Sequence, residues 1–79
     1  MKLPRDISGL DLANKLTVLG YDVTRQNGSH IRLTTLRNGE HHITVPQHVP
    51  LKVGTFSAIL NDVAKHFSIS RDELLQQLF

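Results

Sequence analysis

One histidine in the sequence stands where its side chain could transfer protons. His30 directly follows Gly28 and Ser29 and begins a segment in which apolar and polar residues alternate. Histidine titrates near neutral pH, so its ring could take a proton from a ribose 2′-hydroxyl or give one to a leaving 5′-oxygen. The same residue could equally be an ordinary surface histidine beside a turn. The sequence pattern leaves both interpretations of His30 open.

Arg32 is the second candidate for chemistry. It lies two residues after His30, so on a strand both side chains would project from the same face. A guanidinium there could hold a phosphate group and offset the charge that develops as it reacts. Our predicted strand pairing also places Asp22 opposite Arg32, which would make a cross-strand ion pair instead.

The other four histidines are weaker candidates. His41 and His42 are adjacent, and neighbours on a strand point to opposite faces, so they are poorly placed to chelate one metal ion. We expect His41 to point partly inward and His42 to share the face of His30. His48 lies between two prolines and could approach His30 and assist it. His66, near a helix C-terminus, is explained most simply by the helix dipole.

What the sequence lacks disfavours several classes of protein. It contains no cysteine, which excludes disulfides, thiolate metal sites and a cysteine nucleophile. It has neither a Walker A motif nor a GxGxxG loop, and its seven carboxylates lack metal-loop spacing. One tyrosine and three phenylalanines give no stacking platform for single-stranded bases. A nuclease built on this sequence is expected to use no metal and no cofactor.

The elements that would position these side chains follow from periodicity. Ser8 and Asp11 have the spacing of a capping box, and apolar residues then recur at helical intervals, which predicts a first helix from about Gly9 to Leu19. Gly20 is expected to end this helix in a left-handed conformation. From residue 21 to residue 45 apolar and polar residues alternate, which predicts three antiparallel strands.

The lengths of the two turns decide how these strands pair. Two-residue turns would mix apolar and polar side chains on one face, so we predict three-residue loops that end at left-handed Gly28 and Gly39. The predicted facing pairs are Tyr21 with Leu33, Val23 with Ile31, Leu33 with Ile43, and Ile31 with Val45. The opposite face would then carry the polar residues Asp22, Thr24, His30, Arg32, Thr34, His42 and Thr44.

Two more helices are predicted after the strands. Apolar spacing indicates a second helix from an N-cap at Thr55 to about His66, and a capping box that begins at Ser70 precedes a short third helix. The predicted fold class is α+β: a double-stranded-RNA-binding-domain-like α-β-β-β-α sandwich with a three-stranded antiparallel sheet and a short extra C-terminal helix. The apolar residues of the last helix would pack on the domain or on another chain.

Length and composition indicate one globular domain. The chain has 79 residues, 39% hydrophobic and 20% charged, so we expect a single domain over residues 1–79. Its net charge of +2 permits nucleic-acid binding without requiring it. The first residues have no apolar targeting segment, and no stretch is long enough to cross a membrane. We therefore expect a soluble, cytoplasmic protein.

Four short motifs occur in a distinctive order and spacing. They are Leu19-Gly20-Tyr21, Gly28-Ser29-His30, the segment from Ile43 to His48, and the segment from Leu51 to Phe56 followed by Ile59-Leu60. Together they resemble the HicA toxins of bacterial and archaeal toxin–antitoxin modules. The resemblance covers nearly the whole chain and loosens after Asn61.

The resemblance implies a function as well as a fold. It implies that the free toxin cleaves mRNA and that a HicB antitoxin neutralises it. By the same resemblance, His30 is the catalytic histidine of the Gly-Ser-His motif, and Gly28 and Ser29 shape its site. Three further residues are expected to bind RNA or support the site: Arg32, His48 and Lys52.

Two other functions stay open on the sequence. The same polar face could belong to a non-catalytic module that binds RNA or protein, because one fold can serve unrelated tasks. Alternatively, the third helix could make the chain an oligomerisation domain. Binding without cleavage would favour the first alternative, and a mass that depends on concentration would favour the second. The sequence does not determine whether the free protein is a monomer.

Overall fold

The computed structural model describes residues 3–79. The three strands form one antiparallel sheet in the order β1-β2-β3. The elements are α1 (Gly9–Lys15), β1 (Asp22–Asn27), β2 (His30–Thr35), β3 (His41–Pro46), α2 (Val53–Phe67) and α3 (Arg71–Leu78). This order confirms the predicted α+β, double-stranded-RNA-binding-domain-like fold. Among the residues that are described, every helix is too short or too polar to cross a bilayer.

The first helix begins and ends as the sequence predicts. The Ser8 hydroxyl accepts a hydrogen bond from the Asp11 amide at 3.0 Å, and the Asp11 carboxylate accepts one from the Ser8 amide at 3.4 Å. This capping box satisfies two donors at the start of α1. The α-helical part stops at Lys15, and a 3₁₀ turn, Leu16–Leu19, continues it. Gly20 then ends it with a left-handed φ of 85°.

The hydrophobic core lies between the helices and one face of the sheet. Alternate residues of β2 are buried, namely Ile31, Leu33 and Thr35, and the hydroxyl of Thr35 donates a hydrogen bond to the Leu19 carbonyl at 2.9 Å. The helices supply the rest of the core, including Leu12, Leu16, Phe56, Leu60, Val63, Leu74, Leu75 and Leu78. One sheet face is therefore covered and the other is open.

The β2–β3 pairing confirms the predicted register. Leu33 faces Ile43, and Ile31 faces Val45, so the apolar residues of both strands share the covered face. Gly39 has a φ of 96°, which confirms the left-handed conformation predicted for it. The loop between β2 and β3 is longer than predicted, because the last paired residues are Thr35 and His41.

The predicted β1–β2 register is wrong. Val23 faces Leu33 instead of Ile31, and Ile31 faces Gln26. A β-bulge between Val23 and Arg25 shifts the pairing. The turn also differs, because pairing continues to Asn27 and His30 and leaves a two-residue turn in which Gly28 has a φ of 60°.

The physical reason for this error is that β1 is an edge strand that the helices do not cover. All six of its residues are exposed, and Val23 is 56% exposed. Burial therefore does not select one face of β1. The rule that places apolar residues on the covered face holds for β2 and β3, where burial enforces it.

The two C-terminal helices correct one prediction and settle another. The second helix begins at Val53, with Lys52 as N-cap and no side-chain cap, so its N-cap lies three residues before the predicted one at Thr55. It starts early because the preceding chain is already anchored: Leu51 is buried, and its amide donates to the Ile7 carbonyl at 2.8 Å. The Ser70 hydroxyl caps α3 by accepting from the Glu73 amide at 3.1 Å, which is one of the two hydrogen bonds of the predicted capping box.

The third helix packs on the domain itself. Its three leucines, Leu74, Leu75 and Leu78, are each at most 4% exposed and belong to the common core. The apolar side that the sequence left unassigned is thus covered within the chain. Phe79 is exposed, and the centroid of its ring lies 6.2 Å from that of Phe56.

Gly9 allows α1 to approach the end of β3. A Cβ atom at this position would lie 1.9 Å from the Pro46 carbonyl oxygen, which is far inside contact distance. The Gly9 amide also donates a hydrogen bond to the His48 carbonyl at 2.9 Å. This contact fixes the chain that leaves β3, immediately beside the start of β2.

We expect Gly9→Ala to lower the free energy of unfolding by about 1–3 kcal/mol, because the methyl group must displace backbone atoms. Gly54→Ala is the matched control, since a Cβ at Gly54 meets no atom within 4 Å. The control should leave stability unchanged or raise it by up to about 1 kcal/mol. Urea unfolding followed by circular dichroism measures both. Equal stabilities for the two variants would show that the close approach is not required.

Candidate functional site

The open face of the sheet is formed by the polar residues of the three strands. Along β2, His30, Arg32 and Thr34 project from it. The register places Thr44 opposite Arg32 and His42 opposite Thr34 on β3. His30, Arg32, His42 and Thr44 are exposed, and Thr34 is partly exposed. The prediction that these polar residues of β2 and β3 share one face is confirmed, because the β2–β3 register from which it follows is correct.

A shallow depression of about 260 Å³ lies on this face at the β1–β2 turn. It is lined by Arg25, Asn27, His30, Arg32 and Thr44. The backbone explains this grouping, because Asn27 pairs with His30 and Arg25 with Arg32. The depression therefore brings together an imidazole, two guanidinium groups, an amide and a hydroxyl.

The partner of Arg32 differs from the predicted one. Arg25 faces Arg32 across the strands, and Asp22 faces Thr34 instead. Within residues 3–79, neither arginine side chain has a hydrogen bond or ion pair with a protein group. The structural interpretation of Arg32, as half of an ion pair with Asp22, is therefore wrong.

The imidazole of His30, like the two arginine side chains, has no partner within residues 3–79. Its ring is exposed and makes no hydrogen bond or ion pair to any other group in the described range. Gly28 and Ser29 form the two-residue turn before it, with Gly28 in the left-handed region. The tight turn carries His30 to the end of β2, where its ring can meet a ligand from solvent.

His42, on the same face, has partners on both ring nitrogens. Its Nε2 lies 2.7 Å from the Glu40 carboxylate, and its Nδ1 lies 2.7 Å from the Thr34 hydroxyl. A carboxylate only accepts, so Nε2 carries the hydrogen, and in the neutral ring Nδ1 accepts from Thr34. The Thr34 hydroxyl can in turn accept from Thr24, 2.9 Å away. This chain of hydrogen bonds fixes His42.

His41 points to the covered side, as predicted, and is also fixed. Its Nδ1 lies 2.7 Å from the Tyr21 hydroxyl and its Nε2 lies 3.2 Å from Asp62. Burial, with a smaller contribution from Asp62, raises the pKa of the Tyr21 phenol far above its usual range. Tyr21 therefore stays protonated and can donate to His41.

His66 lies in the last turn of α2, as predicted, and also makes contacts outside the helix. Its ring stacks on that of His41, with centroids 4.3 Å apart, and its Nε2 lies 2.9 Å from the Arg37 carbonyl oxygen, which can only accept. The side-chain amide of Asn38 donates from Nδ2 to the His66 carbonyl at 2.8 Å. His66 thus connects the end of α2 to the β2–β3 loop, a contact that a helix-dipole argument does not reveal.

His48 and Lys52 lie outside the depression. Both are exposed, His48 in the connector after β3 and Lys52 at the N-cap of α2. The connector is held by backbone hydrogen bonds, including one from the Gln47 amide to the Ser29 carbonyl. His48 therefore follows a segment tied to the turn before His30, although its ring does not line the same depression.

Sequence reasoning missed Arg25 and Asn27. Arg25 was hidden by the assumption of regular alternation on β1, which the bulge at Thr24 breaks. Asn27 was hidden by the predicted three-residue loop, in place of which the structure has a two-residue turn. The signal that could have found Arg25 is the polar composition of the strand, because a strand with one apolar residue in six gives no reason to expect one-sided burial.

Comparison with known proteins identifies the family. The family model for the HicA toxin of bacterial toxin–antitoxin systems matches residues 10–64, so the match runs from α1 into α2 and stops before α3. No curated protein and no solved structure matched the chain. The match covers more than half of the 79 residues. The chain belongs to the HicA toxin family and has its place, with an antitoxin partner, in a toxin–antitoxin module.

Proposed function

We propose that the protein is an endoribonuclease that cleaves mRNA, with His30 as the group that transfers protons. One observation carries the proposal: His30 is an exposed imidazole, unbonded within the described residues, in a depression that also holds two arginines. By contrast, the rings of His41, His42 and His66 are committed to other groups of the protein. Membership of the HicA family supports the same assignment.

The chemistry proposed is attack of a ribose 2′-hydroxyl on the adjacent phosphate. The 2′-oxygen forms a bond to phosphorus as the bond from phosphorus to the 5′-oxygen breaks. His30 takes the 2′ proton, and the 5′-oxygen receives a proton as it leaves, which gives a 2′,3′-cyclic phosphate and a 5′-hydroxyl. Because one histidine must serve both transfers or rely on His48, water or RNA for the second, we expect slow turnover. Imidazole can do this without a metal.

The supporting residues would bind the RNA backbone around this point. Arg32 lies in the depression with His30 and would hold the reacting phosphate. Gly28 and Ser29 would set the position of His30 through the tight turn. His48 and Lys52, outside the depression, would contact the RNA on its way to or from the site.

The antitoxin partner would be a HicB protein that covers the open face. A partner on this face would close the depression to RNA, because its residues all lie on that face. The family match supports an antitoxin in general, and the choice of HicB follows from the resemblance of the sequence motifs.

We expect His30→Ala to lower the rate of RNA cleavage about 100-fold or more, the usual effect of losing a general acid or base. Purified protein, free of its partner, is incubated with single-stranded RNA in EDTA, and the products are resolved on a gel. The His30 ring is exposed, so the substitution should change the free energy of unfolding by less than about 0.5 kcal/mol.

Two results would count against the proposal. Cleavage by His30→Ala at the rate of the intact protein would remove His30 from the chemistry. Absence of cleavage by intact, folded protein would favour a non-catalytic binding module on the same face. Binding of the antitoxin should persist in His30→Ala, which provides a second check that the variant is folded.

His48→Ala and Lys52→Ala are expected to act on binding more than on chemistry. Because both residues lie outside the depression, each substitution should raise KM several-fold and leave kcat within about twofold of its original value. Single-turnover and steady-state cleavage measured over a range of RNA concentrations separates the two constants. A fall in kcat of tenfold or more for His48→Ala would instead identify His48 as the group that assists His30.

A further inference from the structure

We infer that Arg25 and Arg32 together form a clamp for a backbone phosphate of single-stranded RNA, beside His30. The inference rests on the proposed function and adds a residue to it, since Arg25 belongs to none of the motifs that carry the family resemblance. Arg25 and Arg32 face each other directly on β1 and β2 and line the same depression. An anion between them would contact both guanidinium groups at once.

The two arginines are an unfavourable pair in the free protein. Like charges directly opposite each other on neighbouring strands destabilise a sheet. The described residues supply no acidic partner: Asp22 faces Thr34, and the Glu40 carboxylate is held by His42. The repulsion between Arg25 and Arg32 is therefore not offset by any residue from 3 to 79, and a phosphate group would relieve it.

The β-bulge is what places Arg25 in this position. Counting from the pair of Val23 and Leu33 without the extra residue, regular pairing would put Thr24 opposite Arg32. Arg25 would then project from the covered side of the sheet. With the bulge, Arg25 faces Arg32, and the Thr24 hydroxyl lies 2.9 Å from that of Thr34. The bulge therefore turns one arginine onto the face that carries His30.

The chemistry of the depression fits a phosphodiester better than a base. Arginine binds phosphate oxygens through paired N–H groups, and the nearby Asn27 amide and Thr44 hydroxyl add donors for phosphate or ribose oxygens. The lining contains no aromatic ring except the imidazole of His30, so it offers little surface for stacking. We therefore assign the clamp to the RNA backbone, independent of base sequence.

The test measures binding of a fluorescent 2′-O-methyl RNA strand, which has no 2′-hydroxyl and so cannot be cleaved by the proposed reaction. Anisotropy at several salt concentrations compares intact protein with R25Q, R32Q and R71Q. Arg71 begins α3, which packs in the helical layer, so R71Q is the control for loss of one positive charge. R25Q and R32Q should each weaken binding about tenfold, as expected for a lost charged hydrogen bond. R71Q should change it less than twofold.

Two further measurements distinguish direct contact of each arginine with the RNA phosphate from an effect of the protein's net charge. R25Q and R32Q should each reduce the slope of log affinity against log salt, by up to about 0.7, the value for the one phosphate that both arginines hold on a single strand. R25Q should also raise the melting temperature of the free protein by about 1–4 °C, because it removes the repulsion.

The outcomes distinguish the clamp from the nuclease proposal. Equal affinity of intact protein and R25Q, or no binding by the intact protein, overturns the clamp whatever His30→Ala does to cleavage. Equal losses in R25Q and R71Q also overturn it, because they would show only an effect of net charge. If R25Q weakens RNA binding while His30→Ala leaves the cleavage rate unchanged, the clamp is supported and the role of His30 in cleavage is contradicted.

Discussion

Burial of only one face of the β2–β3 pair is the constraint on which the rest of the structure depends. Ile31 and Leu33 are buried against the helices, so the residues between and beside them must face the other way. His30 and Arg32 reach the open face for this reason. The close contact of Gly9 with the Pro46 carbonyl then fixes α1 against the end of β3, next to the turn that presents His30.

The sequence is informative where burial enforces a pattern and silent where it does not. The β2–β3 register could be predicted because apolar residues alternate on both strands and all of them are covered. The β1 register could not, because Val23 is exposed and a bulge costs this strand little. The start of α2 was missed for a related reason: tertiary contacts of Leu51 set it, and no side-chain cap marks it.

In the candidate site, too, some residues could be predicted from burial and others could not. His30 and Arg32 could be placed on the open face from β2 alone. Arg25 and the absence of an ion pair to Asp22 could not, because both follow from the bulge. Motif resemblance named His30 as catalytic, but only the structure reveals that His41, His42 and His66 are occupied by other protein groups. Hydrogen bonding thus separates these three structural histidines from His30 and His48, and of those two only His30 lines the depression.

In the proposed reaction, His30 promotes attack by a ribose 2′-hydroxyl at a phosphate held on the open face. Mass spectrometry of the ends that the intact protein leaves on a defined single-stranded RNA tests this most directly. The proposed reaction leaves a 2′,3′-cyclic phosphate on one fragment and a 5′-hydroxyl on the other, and His30→Ala should form both at least about 100-fold more slowly. Fragments that carry a 5′-phosphate and a 3′-hydroxyl would contradict this reaction, because they would show that water attacked the phosphorus and that the 3′-oxygen was the leaving group.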